Sequence, residues 1–206
     1  MKVVAFNGSP REKGNTYQAL RVVADELEKE GIEVEIFHVG NKVIRGCMGC
    51  GTCRKEGKCI YDNDEVNEYA RKMCEADGII FGSPVHYSGI SGTMKSFLDR
   101  VFFSTGAKFR HKVGAAVVAV RRTGGISGFE QLLHYLTYAE MVLPTTNYWN
   151  VIHGMAPGEA QQDEEGKQIM SILGKNMAWL LKLMEHGKDA VTPPERTKKV
   201  FTNFIR

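Results

Sequence analysis

The feature that most constrains the fold of this chain is an unbroken stretch of small and apolar residues, Val113 to Val120. It consists of valine and alanine with a single glycine, and no polar residue alternates with them. A run rich in β-branched residues favours an extended strand, and the missing alternation predicts that both faces of the strand are buried. Such strands occur in parallel sheets with helices packed on both sides. The stretch therefore predicts an α/β protein.

The rest of the chain alternates short apolar runs with amphipathic segments, which is typical of successive strand–helix units. Strands are predicted at residues 3–6, 34–39, 78–81, 113–120 and from about 141 into 151. Helices are predicted at 16–30, from a 62–64 cap to about 76, and at 91–103, 128–139 and 159–185. This order predicts a flavodoxin-like three-layer sandwich, a five-stranded parallel sheet with helices on both faces. We expect a single domain at 1–186, with a cysteine-rich insertion at 41–62 and a tail at 187–206.

Composition narrows the functional classes. A chain of 206 residues can bury a hydrophobic core, and its net charge is only +3 with no long basic block, so nucleic-acid binding is not expected. The N-terminus enters a strand and a turn without a signal-peptide pattern, and no stretch is long enough to span a membrane. We therefore expect no membrane partner and a cytoplasmic location, where thiols stay reduced.

The loop after the first strand, Gly8 to Thr16, has the composition of an anion site. Its glycines let the backbone curl, its polar side chains can donate hydrogen bonds, and the following helix adds unpaired N–H groups. Five residues separate Gly8 from Gly14 and Asn15 stands where a P-loop needs lysine, so this loop is not a nucleotide-triphosphate P-loop. No Gly-x-Gly-x-x-Gly fingerprint is present either. The alternative is a plain turn with a helix cap at Asn15 or Thr16.

The loop after the third strand, Gly82 to Gly92, mixes small residues with His86 and Tyr87. In flavodoxin-like sheets the ligand crevice lies between this loop and the first one. Gly-Ser-Pro-Arg with Gly-Asn-Thr, then Gly-Ser-Pro-Val-His-Tyr-Ser-Gly with downstream Lys95 and Asp99-Arg100, resembles the NAD(P)H-dependent FMN reductases. The likeness covers residues 1 to about 155, and the cysteine segment is most similar to the iron–sulfur flavoprotein branch of that family.

The resemblance implies FMN as cofactor and NAD(P)H as co-substrate, with the flavin carrying the chemistry. It implies that one set of residues holds the phosphate and that two further loops line the ring. The phosphate residues would be Ser9, Arg11, Asn15 and Thr16; the ring residues would be Pro84, Val85, His86, Tyr87 and Ser88, with Thr123, Gly124 and Gly125 after the fourth strand. His86 is a candidate proton donor, and a packing or solvent role is the alternative.

Four of the five cysteines, Cys47, Cys50, Cys53 and Cys59, fall within thirteen residues. Two-residue spacings let successive thiolates of one loop reach neighbouring irons of a [4Fe–4S] cluster. The final spacing of five, with no following proline, differs from the bacterial ferredoxin run. Free or redox-active thiols and a zinc site stay open as alternatives, and zinc fits less well because its sites usually use two separated cysteine pairs. No function is assigned to Cys74.

The leading functional prediction is an FMN-binding, NAD(P)H-dependent oxidoreductase of the flavin or quinone reductase type. One alternative is an iron–sulfur flavoprotein that carries electrons from ferredoxin through a [4Fe–4S] cluster to FMN. Another is a regulatory protein without enzymatic activity that keeps the fold. By the resemblance we expect a homodimer or homotetramer. The electron acceptor, a small molecule or a protein, is not identified by the sequence.

Overall fold

The computed structural model describes residues 1–202 and 204. The strands are β1 (Lys2–Asn7), β2 (Glu33–His38), β3 (Gly78–His86), β4 (Gly89–Ile90), β5 (Val113–Val120) and β6 (Val151–His153). The helices are α1 (Asn15–Lys29), α2 (Cys53–Glu56), α3 (Val66–Glu75), α4 (Gly92–Thr105), α5 (Gly125–Tyr138) and α6 (Glu164–Gly187), with 3₁₀ turns at Gly106–Phe109 and Glu159–Gln162.

Five strands form a parallel sheet in the order β2-β1-β3-β5-β6. This is the flavodoxin-like strand order, so the predicted fold is confirmed. The structure adds one strand that was not predicted, because β4 pairs antiparallel with the end of β3. The reversal of strand order between β1 and β3 marks the edge of the sheet where ligands bind in such folds.

Every residue of β5, the strand predicted from the apolar stretch, is buried. Helices α1 and α6 cover one face of the sheet, and α3, α4 and α5 cover the other. Alternate residues of each strand therefore enter two separate cores, as strands covered on both faces require. The phenylalanines Phe6, Phe81 and Phe97 pack together in the core between the sheet and helices α3, α4 and α5.

The prediction of a strand from residue 141 into 151 is wrong for most of that segment. Val142 forms only an isolated bridge to Val113, and regular pairing begins at Val151. Between them Pro144 has no N–H to donate, and the Thr146 hydroxyl donates to the side chain of Asn150. The Asn150 amide in turn donates to the Ala116 carbonyl at 3.0 Å, which takes the place of a backbone ladder bond.

Helix boundaries differ modestly from those predicted. Helix α5 starts at Gly125 rather than at residue 128, and the segment from Glu159 forms a 3₁₀ turn before α6 starts at Glu164. The Asp163 carboxylate accepts from the Gly166 N–H at 2.9 Å and so fixes the start of α6. Among the described residues, no helix combines the length and the apolar character needed to cross a membrane.

Candidate functional site: a three-loop crevice and a cysteine cavity

The first loop of the crevice is shaped by its own side chains. The Asn7 side-chain oxygen Oδ1 accepts from the Ser9 N–H at 3.0 Å, and the Asn7 side-chain Nδ2 donates to the Glu12 carbonyl at 2.8 Å. The Ser9 hydroxyl accepts from the Arg11 N–H at 3.1 Å. These local bonds curl the backbone between β1 and α1. Asn7, which the sequence analysis did not single out, is thus the residue that organises the loop.

Residues at the end of β2 form hydrogen bonds with the backbone of this loop. The His38 ring nitrogen Nε2 lies 2.7 Å from the Ser9 carbonyl oxygen, and the Gly40 N–H donates to the Asn7 carbonyl at 3.0 Å. A Cβ atom on Gly40 would lie only 2.1 Å from the Ser9 carbonyl oxygen. The close approach therefore requires glycine, and sequence analysis missed it because the partner lies about thirty residues away.

Thr16 provides the clearest sign of a ligand-binding position. Its side-chain hydroxyl is buried and is the one buried side-chain polar atom without a hydrogen-bond partner among the described residues. It sits in the first turn of α1, whose N-cap, Gly14, supplies no side-chain acceptor to the helix N–H groups. An unpaired donor next to an uncapped helix start suits an anion such as a phosphate.

Asn15 is placed differently from its neighbours. Its side-chain oxygen Oδ1 accepts from the Gly158 and Ala160 N–H groups at 3.0 and 3.2 Å, and its side-chain Nδ2 donates to the Ala156 carbonyl at 2.9 Å. Both ends of the amide are therefore engaged by the segment after β6. In this arrangement Asn15 ties that segment to the start of α1.

The second loop is a strained hairpin. Tyr87 and Ser88 join β3 to β4 with φ angles of 49° and 60°, a left-handed conformation that non-glycine residues rarely adopt. His86 and Tyr87 are exposed, whereas Val85 packs against the core. Strain of this kind concentrates at functional sites, where the surrounding structure maintains it.

A short network joins the second loop to the first. The Ser91 hydroxyl donates to the Gly8 carbonyl at 2.7 Å, and the Ser91 N–H donates to the Ser83 hydroxyl at 3.0 Å. Ser91 is also the N-cap of α4. These bonds hold the two loops side by side at the carboxyl ends of β1 and β3.

The third loop, after β5, approaches the hairpin. Gly124 has a φ of 84°, and a Cβ atom there would lie 2.8 Å from the Ser88 hydroxyl oxygen. Arg121, Arg122 and Thr123 precede it and are exposed. The structure therefore brings two predicted ring loops together, with backbone surfaces that a flat ring could lie against.

The predicted cysteine ligands line one small cavity. Cys47 and Cys50 are exposed, whereas Cys53 and Cys59 are half-buried. The cavity has a volume of about 20 Å³ and lies beside the C-terminal half of α4; its wall consists of the four cysteines together with Met48, Gly51, Ile60, Tyr61, Arg100, Phe103 and Ser104. Cys74, on α3, does not line it.

The pKa values of two cavity thiols, Cys53 and Cys50, are shifted in opposite directions. Burial raises the pKa of the Cys53 thiol, and the neighbouring cysteines raise it further. Hydrogen bonds from Thr52 lower the pKa of the exposed Cys50 thiol. Across residues 1–202, no three cysteine, histidine or acidic side chains are already spaced as metal ligands. The donor set fits an iron–sulfur cluster, but the cavity has room for about one water molecule, so its wall would have to open.

Comparison with known proteins identifies the family. Residues 1–156 match the NADPH-dependent FMN reductase family. An iron-sulfur flavoprotein of Methanocaldococcus jannaschii is 39% identical over 193 residues, covering 90% of this chain and all of the relative. One from Archaeoglobus fulgidus is 34% identical over 179 residues, covering 86% of this chain and 79% of the relative.

The solved structures agree with the fold. A flavodoxin from the domain Archaea superimposes with a TM-score of 0.59 at 17% identity, covering 88% of this chain and 99% of the flavodoxin. The resemblance inferred from the crevice loops and the cysteine spacing is confirmed. The chain belongs to the NADPH-dependent FMN reductase family, in the branch of the iron–sulfur flavoproteins.

Proposed function

We propose that this FMN-binding oxidoreductase accepts hydride from NAD(P)H and passes the electrons to a small-molecule or protein acceptor. The observation that carries the proposal is the buried, unpartnered Thr16 hydroxyl at the start of α1, inside a loop curled by Asn7. FMN would supply the acceptor of hydride and the ability to release electrons singly. The family membership supports the same reading of the crevice.

We assign the residues by what their positions allow. Thr16, Ser9, Arg11 and the first N–H groups of α1 would bind the phosphate, because unpaired donors at a helix start favour anions. The strained hairpin at Tyr87 and Ser88, with Thr123 to Gly125 opposite it, would hold the ring. Pro84 and Val85 would support that hairpin from β3. His86, which is exposed, would lie beside the ring as a candidate proton donor.

A second, linked function is supported by the shared cavity of the cysteines. We propose that Cys47, Cys50, Cys53 and Cys59 hold a [4Fe–4S] cluster that exchanges electrons with a protein such as ferredoxin. The relatives named iron-sulfur flavoproteins support this proposal. A cytoplasmic location would keep the thiols reduced. A homodimer or homotetramer stays our expectation for the assembly.

The cluster proposal predicts the metal content of the cysteine variants. After anaerobic reconstitution with iron and sulfide, we expect about four iron atoms per chain, the content of one [4Fe–4S] cluster. Cys50→Ser should lose most of this iron because serine is a poorer ligand for soft metals. Cys74→Ser, a change outside the cavity, is the matched control and should keep it. Iron analysis and visible absorbance measure both.

The possible outcomes separate the alternatives. A wild-type chain that binds FMN but retains no iron would leave the cysteines as free thiols and would refute the cluster proposal. Zinc in place of iron, without visible absorbance from the metal site, would support a structural zinc centre.

A further inference from the structure

Cys59 differs from the other cavity cysteines in how firmly its backbone is held. Its N–H donates to the Asn67 side-chain oxygen at 3.0 Å, and the Asn67 amide donates back to the Cys59 carbonyl at 2.9 Å. Asn67 lies on α3, so both polar backbone groups of Cys59 are fixed to the folded core. The same amide donates to the Asp62 carboxylate at 3.0 Å.

The sulfur of Cys59 is held as well, by Arg100 on α4. The Arg100 Nε donates to Cys59 Sγ at 3.2 Å, and one terminal nitrogen donates to the Tyr61 carbonyl at 2.8 Å. The guanidinium also forms a salt bridge with Asp64, and the Arg100 side chain has no exposed surface. One planar group thus joins the sulfur, a carbonyl and a carboxylate.

Such a residue needs an explanation, because Arg100 is the largest fully buried side chain of the described residues. A buried ion pair contributes little net stability, and apolar residues of similar volume often replace it without loss. Packing between α3 and α4 alone therefore does not require arginine here. The contact with Cys59 gives the guanidinium a specific role.

The other three cysteines are held less firmly. Gly49 and Gly51, which flank Cys50, have positive φ angles, and a Cβ atom on either would meet nothing within 4 Å. The Cys53 thiol donates a long hydrogen bond, 3.6 Å, to the Phe103 carbonyl oxygen. The backbone beside Cys50 therefore has open space next to it, whereas both polar backbone groups of Cys59 are hydrogen-bonded to Asn67.

We propose that Arg100 and Asn67 are positioning residues that make Cys59 the fixed ligand of the cysteine site, around which the 47–53 segment opens to admit the cluster. The proposal rests on the cluster proposed above. Hydrogen bonds to cluster sulfurs are among the factors that set the reduction potential, and they stabilise the more negative, reduced state. The Arg100 N–H therefore also raises the potential of the site.

The test replaces the ion pair while keeping its volume. In Arg100→Met/Asp64→Asn, both charges and the N–H···S bond are gone, and no buried charge is left unpaired. We expect the reconstituted variant to retain iron and its reduction equilibrium to shift at least tenfold toward the oxidised state, about 59 mV for one electron. A redox titration followed by visible absorbance and electron paramagnetic resonance measures the shift.

Further variants keep the test decisive if the double variant folds poorly. Arg100→Lys preserves the charge opposite Asp64, but an ammonium cannot join sulfur, carbonyl and carboxylate as the planar group does, so the potential should shift in the same direction. Asn67→Ala should lose iron to a chelator about tenfold faster than wild type, because the backbone of Cys59 would no longer be hydrogen-bonded to α3. Arg71→Gln, in an exposed pair with Glu75 on α3, is the matched control and should change neither quantity.

The outcomes distinguish this inference from the proposed function. If the wild-type chain loads no iron, the cluster proposal fails. If the wild type loads iron while the Arg100 variants keep its potential and Asn67→Ala keeps its rate of iron loss, the inference alone is wrong.

Discussion

Replacing Gly40 by alanine is expected to destabilise the fold and to abolish tight FMN binding together. The new Cβ would lie 2.1 Å from the Ser9 carbonyl oxygen and 2.2 Å from its carbonyl carbon. Both atoms belong to the backbone, so no side-chain rotation can relieve the overlap. We expect the free energy of unfolding to fall by about 3 kcal/mol, at the upper end for overpacked sites. Urea denaturation measures this loss.

The displacement of Ser9 should also reach the cofactor. Ser9 and Arg11 share the curled loop that would surround the phosphate. We expect the FMN dissociation constant to rise about 100-fold, equivalent to about 2.7 kcal/mol. Gly187→Ala is the matched control, since its Cβ would meet nothing within 4 Å. If Gly40→Ala has the stability and FMN affinity of the wild type, the proposed contact between β2 and the first loop is wrong.

Thr16→Val is expected to raise the stability of the apo protein and to weaken FMN binding. Valine keeps the shape of threonine but removes a buried hydroxyl that has no partner. The apo protein should gain about 1 kcal/mol, because the cost of burying an unpaired polar group disappears. FMN binding should weaken by about 1.5–3 kcal/mol, the value of a hydrogen bond to a charged group, or roughly 10- to 100-fold.

Thr105→Val provides the contrast. Thr105 is also buried, but its hydroxyl donates to the Val101 carbonyl at 2.8 Å within α4. Its replacement should cost about 1 kcal/mol of stability and leave FMN affinity unchanged. Denaturation of the apo proteins and FMN fluorescence titrations measure the four quantities. Equal behaviour of the two variants would mean that the Thr16 hydroxyl has no ligand to bind.

Local patterns predicted the fold well. The apolar composition of β5 indicated a strand covered on both faces, and the alternation of strand and helix patterns indicated a parallel sheet. These signals depend on neighbouring residues and so survive in a single sequence. The strand near residue 145 was mispredicted because hydrogen bonds of the Thr146 and Asn150 side chains compete with ladder pairing.

Contacts between distant segments were not predictable in the same way. Gly40 and His38 reach Ser9 from the end of another strand, and Arg100 reaches Cys59 from a helix 41 residues away. Asn15 has the residue type of a phosphate ligand, yet its amide binds the segment after β6. Residue type alone does not say which partner a side chain will find, because the partner is set by the tertiary fold.

FMN is expected to bind in the three-loop crevice with its phosphate at the start of α1. The most direct test is to titrate the apo protein with FMN and with riboflavin, which lacks the phosphate, under identical conditions. We predict that FMN binds at least about 100-fold more tightly, because the hydrogen bonds from Thr16 and the helix N–H groups to a charged phosphate are lost with riboflavin. Equal affinity for the two flavins, or no binding of either, would contradict a phosphate site at the start of α1.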